Sequence, residues 1–295
     1  MSFTIATSVD EAVAALAAGA RPVAGGSDLV VGARHGKAPL PEHLVAIDRL
    51  TDLAVVTVDG EGVHIGALVN HHTIEHHHAL STVWSALSDG SALVGSPSTR
   101  NVGTLGGNVM NASPAMDTGS PLVVLGAEVE LRSARGTRRV GIAELWTGPG
   151  RTSAADDELC IAVHLPTPVH GSNSAYLRLE YRRAMEIAVV GAGASVTLDS
   201  NGSVAAVRVA LTAVAPTIIE VVGLPLGSIT EVAAAAAALA AEQARPISDV
   251  RASDRYRRHT VGVMARRAVE AAARRAAGEP VPVPVNRALG IGAAS

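Results

Sequence analysis

A glycine-rich stretch at residues 100–117 constrains this chain more than any other feature, and it reads RNVGTLGGNVMNASPAMD. Neither the helical nor the alternating spacing of apolar residues occurs in it, so it predicts a loop. Glycine allows positive φ angles and lacks the Cβ that would block a close approach. Successive backbone N–H groups in such a loop form a concave nest for an anion such as a phosphate.

A second double-glycine loop lies early in the chain, at residues 23–29, and reads VAGGSDL. A single double glycine usually marks only a tight turn, and that interpretation stays open for both loops. However, a small polar residue follows each pair, Ser27 in one loop and Asn108 in the other. Two matched loops of this kind favour a ligand with two phosphates.

The composition excludes several classes of protein. A length of 295 residues with 48% hydrophobic residues is enough for a large core and more than one domain. The net charge of −3 provides no basic surface for nucleic acid. The single cysteine, Cys160, excludes an intrachain disulfide and an iron–sulfur cluster held by several cysteines of this chain. The sequence shows no signal peptide and no apolar run of the roughly 20 residues that span a bilayer, so we expect a cytoplasmic protein without a transmembrane segment.

The order of predicted elements indicates an α/β unit followed by hairpins and helices. The first fifty residues predict strand, helix, strand, loop and strand, with Ser8 and Glu11 as a capping box. A hairpin turn is predicted at residues 59–62, and helices are predicted to begin after Asn70 and Ser81.

The segment 166–174 is rich in Pro, Gly, Ser and Asn and predicts a domain boundary. Three strands are predicted beyond it, followed by helices capped by Thr230 and Ser253. The tail from Gly278 predicts an extended or mobile chain.

Two further motifs have a structural and a functional interpretation. Residues 191–196, GAGASV, lack the third glycine of a dinucleotide-binding fingerprint, so a buried strand is preferred. Residues 71–78, HHTIEHHH, place His72 and His76 on one helix face, as some metal sites do. Adjacent histidines point apart, however, and a solvated polar face is favoured there.

These motifs resemble the FAD-binding medium subunit of the molybdenum hydroxylases, the family of xanthine dehydrogenase and aerobic carbon monoxide dehydrogenase. The resemblance rests on residues 24–29, 100–108 and 111–117, and it extends to RRAMEIA at 182–188 and VRVALTAVAP at 207–216. It implies an α+β protein: a two-subdomain FAD-binding domain of the vanillyl-alcohol oxidase type, followed by an α+β C-terminal domain. The implied segments are 1–52 and 53–168 for the two subdomains, 175–277 for the C-terminal domain and 278–295 for a tail.

The resemblance also implies a set of cofactor-binding residues. The early loop would hold the pyrophosphate of FAD, the second glycine-rich stretch would hold its other side, and the remaining residues would lie near the flavin, the ribityl chain or the adenine. In chain order the residues are Val23, Ala24, Gly25, Gly26, Ser27, Asp28, Leu29, Val94, Gly95, Thr104, Gly106, Gly107, Asn108, Asn111, Asp117, Leu159 and Arg183.

The implied function is electron transfer rather than acid–base chemistry, and no catalytic or metal-binding residue of this chain is predicted. The resemblance implies a large partner subunit with a molybdenum cofactor and a small one with two [2Fe-2S] clusters, in a heterotrimer that can dimerise. FAD would pass electrons from the clusters to NAD⁺, a quinone or dioxygen. Two alternatives are a self-contained FAD-dependent oxidase of a small substrate and a scaffold that has lost its flavin.

Overall fold

The computed structural model describes residues 2–36, 38–182 and 184–289. Helices and strands alternate in its first fifty residues, and six consecutive helices lie between residues 71 and 124. Strands β1 to β14 are, in order, Ser2–Ile5, Arg21–Val23, His43–Ala46, Val56–Val58, Gly62–Gly66, Glu128–Ser133, Gly136–Gly141, Trp146–Gly148, Arg151–Thr152, Leu159–Pro166, Ser172–Leu179, Val190–Leu198, Val204–Thr212 and Ile219–Glu220.

Most of the helices are short, and the two longest lie near the C-terminus. Helices α1 to α12 are, in order, Val9–Ala17, Leu29–Arg34, His71–His76, His78–Val83, Ser85–Leu93, Pro97–Val102, Leu105–Asn111, Gly119–Val124, Ile142–Leu145, Ile229–Gln243, Asp254–Ala276 and Val285–Ala288. A 3₁₀ helix, Thr51–Ala54, precedes β4. None of the described helices combines the length and the apolar character that a membrane crossing requires.

The first sheet is parallel, in the order β1-β3-β2, and helix α1 packs against it. The side chain of Ser8 caps α1 by accepting a hydrogen bond from the backbone N–H of Glu11, at 3.2 Å. The carboxylate of Glu11 accepts from the N–H of Thr7 instead of Ser8, so only one half of the predicted capping box is present. Val13 and Leu16 of α1 are buried in one apolar cluster with Val45 of β3.

The second sheet is antiparallel, in the order β4-β5-β10-β6-β7. The predicted hairpin joins β4 to β5, where the carboxylate of Asp59 accepts hydrogen bonds from the N–H groups of Glu61 and Gly62. One face of the sheet packs against the helical layer of α5, α7 and α8 and forms the largest apolar cluster of the described residues.

The third sheet, β11-β12-β13-β14, is antiparallel and is covered by α10 and α11. The buried-strand interpretation of residues 191–196 is confirmed, because they lie inside β12. A Cβ at Gly191 would come within 2.5 Å of the Tyr176 hydroxyl oxygen, so close packing requires that glycine.

Two expectations for this part of the chain are wrong. Ser228, not Thr230, caps α10, because Ser228 stands three residues before Glu231 and the two form a reciprocal capping box. The described part of the tail is docked on the protein rather than extended, since Val285 and Asn286 are fully buried. The Asn286 side-chain oxygen accepts a hydrogen bond from the Arg178 N–H at 2.8 Å. Residues 290–295 of the predicted tail lie outside the described residues.

Candidate functional site

The early double-glycine loop lies between β2 and α2. Gly26 has a φ angle of +66°, and its carbonyl accepts a hydrogen bond from the N–H of Val30 at 3.0 Å. Within the part of the chain that the structure describes, the N–H groups of Gly25, Gly26, Ser27 and Asp28 meet no acceptor. The loop is exposed or half-buried throughout. Four consecutive N–H groups therefore remain free for an anion, the arrangement that a phosphate nest requires.

The second glycine-rich stretch is not the long loop that its sequence predicts. It contains the second half of α6, all of α7 and a short connection between them. The hydroxyl of Thr104 caps α7 by accepting from the N–H of Gly107 at 3.1 Å. The N–H groups of Leu105 and Gly106 donate to the carbonyls of Val69 and Ala67, both at 2.9 Å.

Close packing explains the first of the two glycines in this helix. A Cβ at Gly106 would lie 2.6 Å from the Cβ of Ala67, so glycine is the residue that fits. The low helix propensity of glycine is therefore overridden by tertiary contact. Because the N–H of Asn108 also donates to the carbonyl of Thr104, the N–H groups of residues 105–108 all have partners within the protein.

The two glycine regions meet, as the matched motifs predict. A Cβ at Gly25 would lie 1.7 Å from the carbonyl oxygen of Val102, so the first loop rests directly on the end of α6. A Cβ at Gly103 would lie 3.5 Å from both the Ser27 hydroxyl and the His71 ring. The missing Cβ of Gly25 is thus what allows the two backbones to approach each other, whereas a Cβ at Gly103 would make only ordinary contact with Ser27.

His71 is buried behind this junction. Its backbone N–H donates to the carbonyl of Gly103 at 3.1 Å. Burial, and then the charge of Arg100, lower the pKa of His71 to about 4, so the imidazole is neutral at pH 7. The guanidinium of Arg100 lies 2.9 Å from the carboxylate of Glu75 and donates to the carbonyl of Val94 at 3.3 Å.

Several other predicted cofactor residues line the surface near this junction. Gly95 has a φ angle of +50°, and its carbonyl accepts from the N–H of Met185 at 2.9 Å. The side-chain oxygen of Asn108 accepts from the Thr118 hydroxyl at 2.6 Å. Gly107 and Asn111 are exposed on α7.

Asp117 belongs to a buried polar cluster that sequence analysis did not find. Its two carboxylate oxygens accept from Arg178 at 2.6 Å and from the Tyr176 hydroxyl at 2.9 Å. Arg178 also donates to Glu180 at 2.7 Å. Burial, opposed by the charge of Arg178, raises the pKa of Asp117 to about 6. A signal for this cluster was present in the sequence. Side chains alternate along β11 and the residue after it, so residues 176, 178 and 180 lie on one face.

A second buried carboxylate, Asp89 of α5, fixes the C-terminal third to the rest of the protein. Arg275 donates two hydrogen bonds to it, at 2.6 and 3.0 Å. The backbone N–H groups of Tyr176 and Val285 donate to the same carboxylate. Every partner of Asp89 thus comes from beyond residue 170, so the C-terminal part of the chain supports the elements that carry the glycine regions.

The last predicted residues lie farther along the chain. Leu159 begins β10 and is buried in the core beside α1, with 3% of its surface exposed, so an adenine ring could contact only a small part of it. Arg183 lies outside the described residues. Cys160 is buried as expected, and burial raises the pKa of its thiol to about 12.

The comparisons with known proteins agree with this geometry. Residues 1–168 match the family profile described as the FAD binding domain in molybdopterin dehydrogenase. Residues 175–272 match the CO dehydrogenase flavoprotein C-terminal domain. The chain is 34% identical to the carbon monoxide dehydrogenase medium chain of Afipia carboxidovorans, over 87% of this chain and 90% of that one.

Two further similarities cover nearly the whole chain. The putative xanthine dehydrogenase FAD-binding subunit XdhB of Escherichia coli K12 is 30% identical, over 88% of this chain and 91% of that one. A structure of carbon monoxide dehydrogenase from Hydrogenophaga pseudoflava, which lacks the Mo-pyranopterin moiety, superimposes with a TM-score of 0.88. The identity is 28%, and the match covers 93% of this chain and 98% of that one.

The protein is therefore a flavoprotein subunit of an oxidoreductase, with FAD as its cofactor. The chain belongs to the FAD-binding subunit family of the molybdenum hydroxylases. The predicted fold class is confirmed, since an α+β FAD-binding domain is followed by an α+β C-terminal domain.

Proposed function

We propose that this chain is the electron-transfer subunit of a molybdenum hydroxylase complex. In this proposal it receives electrons from the [2Fe-2S] clusters of a partner subunit and delivers them to NAD⁺, a quinone or dioxygen. The observation that carries the proposal is the meeting of the two glycine regions, with four free N–H groups on one side of the junction. The family to which the chain belongs supports the same assignment.

The free N–H groups of the early loop fit the pyrophosphate of FAD. We assign pyrophosphate binding to residues 23–29 because the loop is accessible and Gly26 has the positive φ angle that such a nest uses. Hydrogen bonds from N–H groups to a charged phosphate are among the stronger ones, each contributing about 1.5–3 kcal/mol.

The second glycine region contributes differently in this proposal. Its N–H groups at 105–108 are hydrogen-bonded within the protein. This region therefore offers a surface that FAD can approach closely, rather than a nest of free N–H groups. The exposed Gly107 allows FAD to approach, and the side chains of Asn108 and Asn111 offer polar atoms at the edge. Thr104 is buried and supports this surface by capping α7. Gly106 then acts indirectly, because its missing Cβ lets α7 pack on Ala67.

The remaining residues predicted to contact FAD are Val94, Gly95, Asp117, Leu159 and Arg183. Val94 and Gly95 precede α6 and are half-buried, in keeping with a position beside the flavin or ribityl chain. We propose that Asp117 binds FAD only in an orientation set by Arg178 and Tyr176, which hold both of its oxygens. Leu159 near the adenine and Arg183 near the cofactor stay predictions.

FAD, when bound, supplies the redox chemistry that links one-electron clusters to a two-electron acceptor. The residues of this chain bind and orient it and shield it from water. No side chain is required as an acid or base, and neutral His71 provides an uncharged wall behind the junction.

The proposed partners follow from what this chain lacks and from what its relatives are. One cysteine, which is buried and has a raised pKa, cannot hold an iron–sulfur cluster. Similar proteins are named as medium chains and FAD subunits of dehydrogenases. We therefore propose a heterotrimer with a molybdenum-cofactor large subunit and a [2Fe-2S] small subunit. A cytoplasmic location stays a prediction.

The proposed domain division follows the three larger sheets. Residues 1–52 contain the parallel sheet, 53–168 the five-stranded sheet and 175–277 the four-stranded sheet except the first three residues of β11, with a tail at 278–295. Separate expression of residues 1–168 and of the full chain would test whether the first part binds FAD alone. We expect it to bind poorly, because Asp89 and Asp117 would lose their buried arginine partners.

The decisive experiment is the absorption spectrum of the purified chain, followed by recovery of the chain from its host with its natural partners. We expect a flavin spectrum whose FAD is released on denaturation, and then two additional subunits with iron–sulfur absorption. Flavin with turnover of a small substrate in the absence of partners would favour the self-contained oxidase instead. A protein that takes up no FAD even when FAD is added would contradict the cofactor site itself.

A further inference from the structure

Three potential metal ligands lie on one face of the five-stranded sheet, outside the glycine junction. His64 belongs to β5, His164 to β10 and Glu130 to β6, which are the three central and adjacent strands. His64 and His164 are direct register partners. Their strand neighbours, such as Val63, Ile65 and Val163, are buried in the core. The alternation of the strands therefore places all three ligands on the opposite, outer face.

The three side chains converge. One ligand atom from each lies within 4.8 Å of those of the other two. The Nε2 atom of His164 is 2.6 Å from a carboxylate oxygen of Glu130. The rings of His64 and His164 stand edge to face, with centroids 4.6 Å apart. All three residues are partly buried rather than sealed, so an ion can reach them.

We propose that His64, His164 and Glu130 bind a divalent transition-metal ion of the Zn²⁺ type. Two imidazoles and one carboxylate form a donor set that suits such ions, with a fourth position open to water. Ligand bonds of about 2.0–2.2 Å in a tetrahedral site place ligand atoms roughly 3.4 Å apart. The pair of Glu130 and His164, now 2.6 Å apart, opens slightly on binding, and the ligand atom of His64 already lies within 4.8 Å of both.

The charged groups around His64, His164 and Glu130 allow a cation to bind there. The guanidinium of Arg139 lies 3.5 Å from the Glu130 carboxylate and 3.9 Å from that of Glu128. Arg139 is half-exposed, so it can turn towards Glu128 and leave Glu130 to the ion. Asp59, in the hairpin beside His64, adds a further negative charge on this side. The three ligands sit on hydrogen-bonded strands, which hold them in place before the ion arrives.

A second group, His72, Glu75 and His76 of α3, is the competing site. Two observations make it the weaker candidate. The Glu75 carboxylate is already 2.9 Å from the buried guanidinium of Arg100. The Nδ1 atom of His76 lies 2.9 Å from the carbonyl of His72, so only its other nitrogen is free. The experiment must therefore distinguish the sheet site from the helix site.

The test uses the full, chelator-treated chain with any affinity tag removed, titrated with Co²⁺ and with Zn²⁺ by absorption spectroscopy and calorimetry. We expect one ion per chain and a visible Co²⁺ band of a tetrahedral or five-coordinate site. The variants H64Q and E130Q should each weaken binding by at least about 100-fold, since removing even outer support of a ligand costs ~10–100-fold. In the E130Q variant the side-chain amide oxygen can still accept a hydrogen bond from His164.

The double variant H72Q/H76Q is the matched control, because it removes the same number of histidines from the competing site. It should bind the ion as tightly as the natural chain. The FAD content and the metal-free melting temperature of every variant establish that the protein is folded, independently of metal binding. An absence of tight binding in the natural chain would overturn the proposal, and so would a loss of binding in H72Q/H76Q but not in H64Q.

Discussion

The two glycine-rich regions look alike in sequence but differ in structure. In the early loop the N–H groups of residues 25–28 meet no acceptor within the described residues, and Gly26 adopts a positive φ angle. In the second region the N–H groups of residues 105–108 are all hydrogen-bonded within the protein, and the glycines belong to α7. The early loop keeps its backbone N–H groups free for a ligand, whereas the second region uses glycine to pack α7 closely.

This difference shows that a glycine pair has at least two physical uses. A missing Cβ can expose N–H groups to a ligand, or it can let two backbones approach inside the protein. Gly25 and Gly106 illustrate the second use, because an added Cβ would collide with Val102 or with Ala67. Substitutions at three glycines separate the two uses, and they are given in order of expected effect on FAD binding or stability. A fourth prediction concerns His71 behind the junction.

The largest effect is expected for Gly25→Ala. The new Cβ would lie 1.7 Å from the Val102 carbonyl oxygen, so the loop must move away from α6. At about 1.5–3 kcal/mol for each lost N–H contact to phosphate, two lost contacts weaken FAD binding by 100-fold or more. The measurement is the flavin absorbance per chain after gel filtration. Gly32→Ala is the control, since nothing lies within 4 Å of a Cβ there, and normal FAD content in Gly25→Ala would refute the junction as the binding site.

Gly106→Ala should reduce stability more than FAD affinity. Its Cβ would lie 2.6 Å from the Ala67 Cβ in a buried contact, and overpacking of this kind costs about 1–3 kcal/mol. We expect the melting temperature of the FAD-free protein to fall by several degrees, with little change in the dissociation constant of FAD for the folded fraction. An unchanged melting temperature with lost FAD would assign this region the role of a nest after all.

Gly107→Val tests whether FAD approaches the exposed side of α7. Gly107 is exposed, and a Cβ there would meet only the Thr104 hydroxyl, at 2.9 Å. We expect FAD binding to weaken by about tenfold or more because the branched side chain covers the surface that the cofactor would use. Gly107→Ala is the control for the effect on the Thr104 cap. Equal FAD affinity in both variants and the natural chain would limit the second region to packing.

The smallest effect near neutral pH concerns His71, which lies behind the junction. Its pKa falls from 6.5 in the unfolded chain to about 4 in the folded protein, so the unfolded state binds more protons between these values. Its contribution to stability is fully present above pH 6.5 and is lost as the pH falls towards 4, by up to about 1.4 kcal/mol per pH unit. Melting curves at pH 7, 6 and 5 should show a steeper loss for the natural chain than for His71→Asn, and parallel curves would contradict this.

Much of the local structure could be predicted from the sequence because short-range chemistry decides it. Ser8 and Ser253 cap their helices as predicted, and the turn at residues 59–62 closes the predicted hairpin. The Thr230 prediction failed because a neighbouring residue, Ser228, had the better-placed partner in Glu231. Such errors are small because the competing residues lie within one helical turn.

The larger errors arose where distant residues decide the conformation. Residues 105–111 are helical because Val69 and Ala67 accept their first N–H groups, and no local pattern shows this. The described tail is ordered because Arg178, on a distant strand, donates to Asn286. Asp117 carries a raised pKa because the folded chain buries it, and its contacts with Arg178 and Tyr176 oppose that rise.

The sequence by itself determined the α+β class, the two glycine pairs, the family they indicate and, through its single cysteine, that this chain cannot hold an iron–sulfur cluster with several cysteines of its own. These properties depend on residue identity and short spacing. Only the tertiary structure decided that the two glycine regions meet, and that one keeps free N–H groups whereas the other does not. Hydrogen-bond satisfaction depends on which acceptors the rest of the chain brings into reach, and residues 67–69 and 102–103 supply that information.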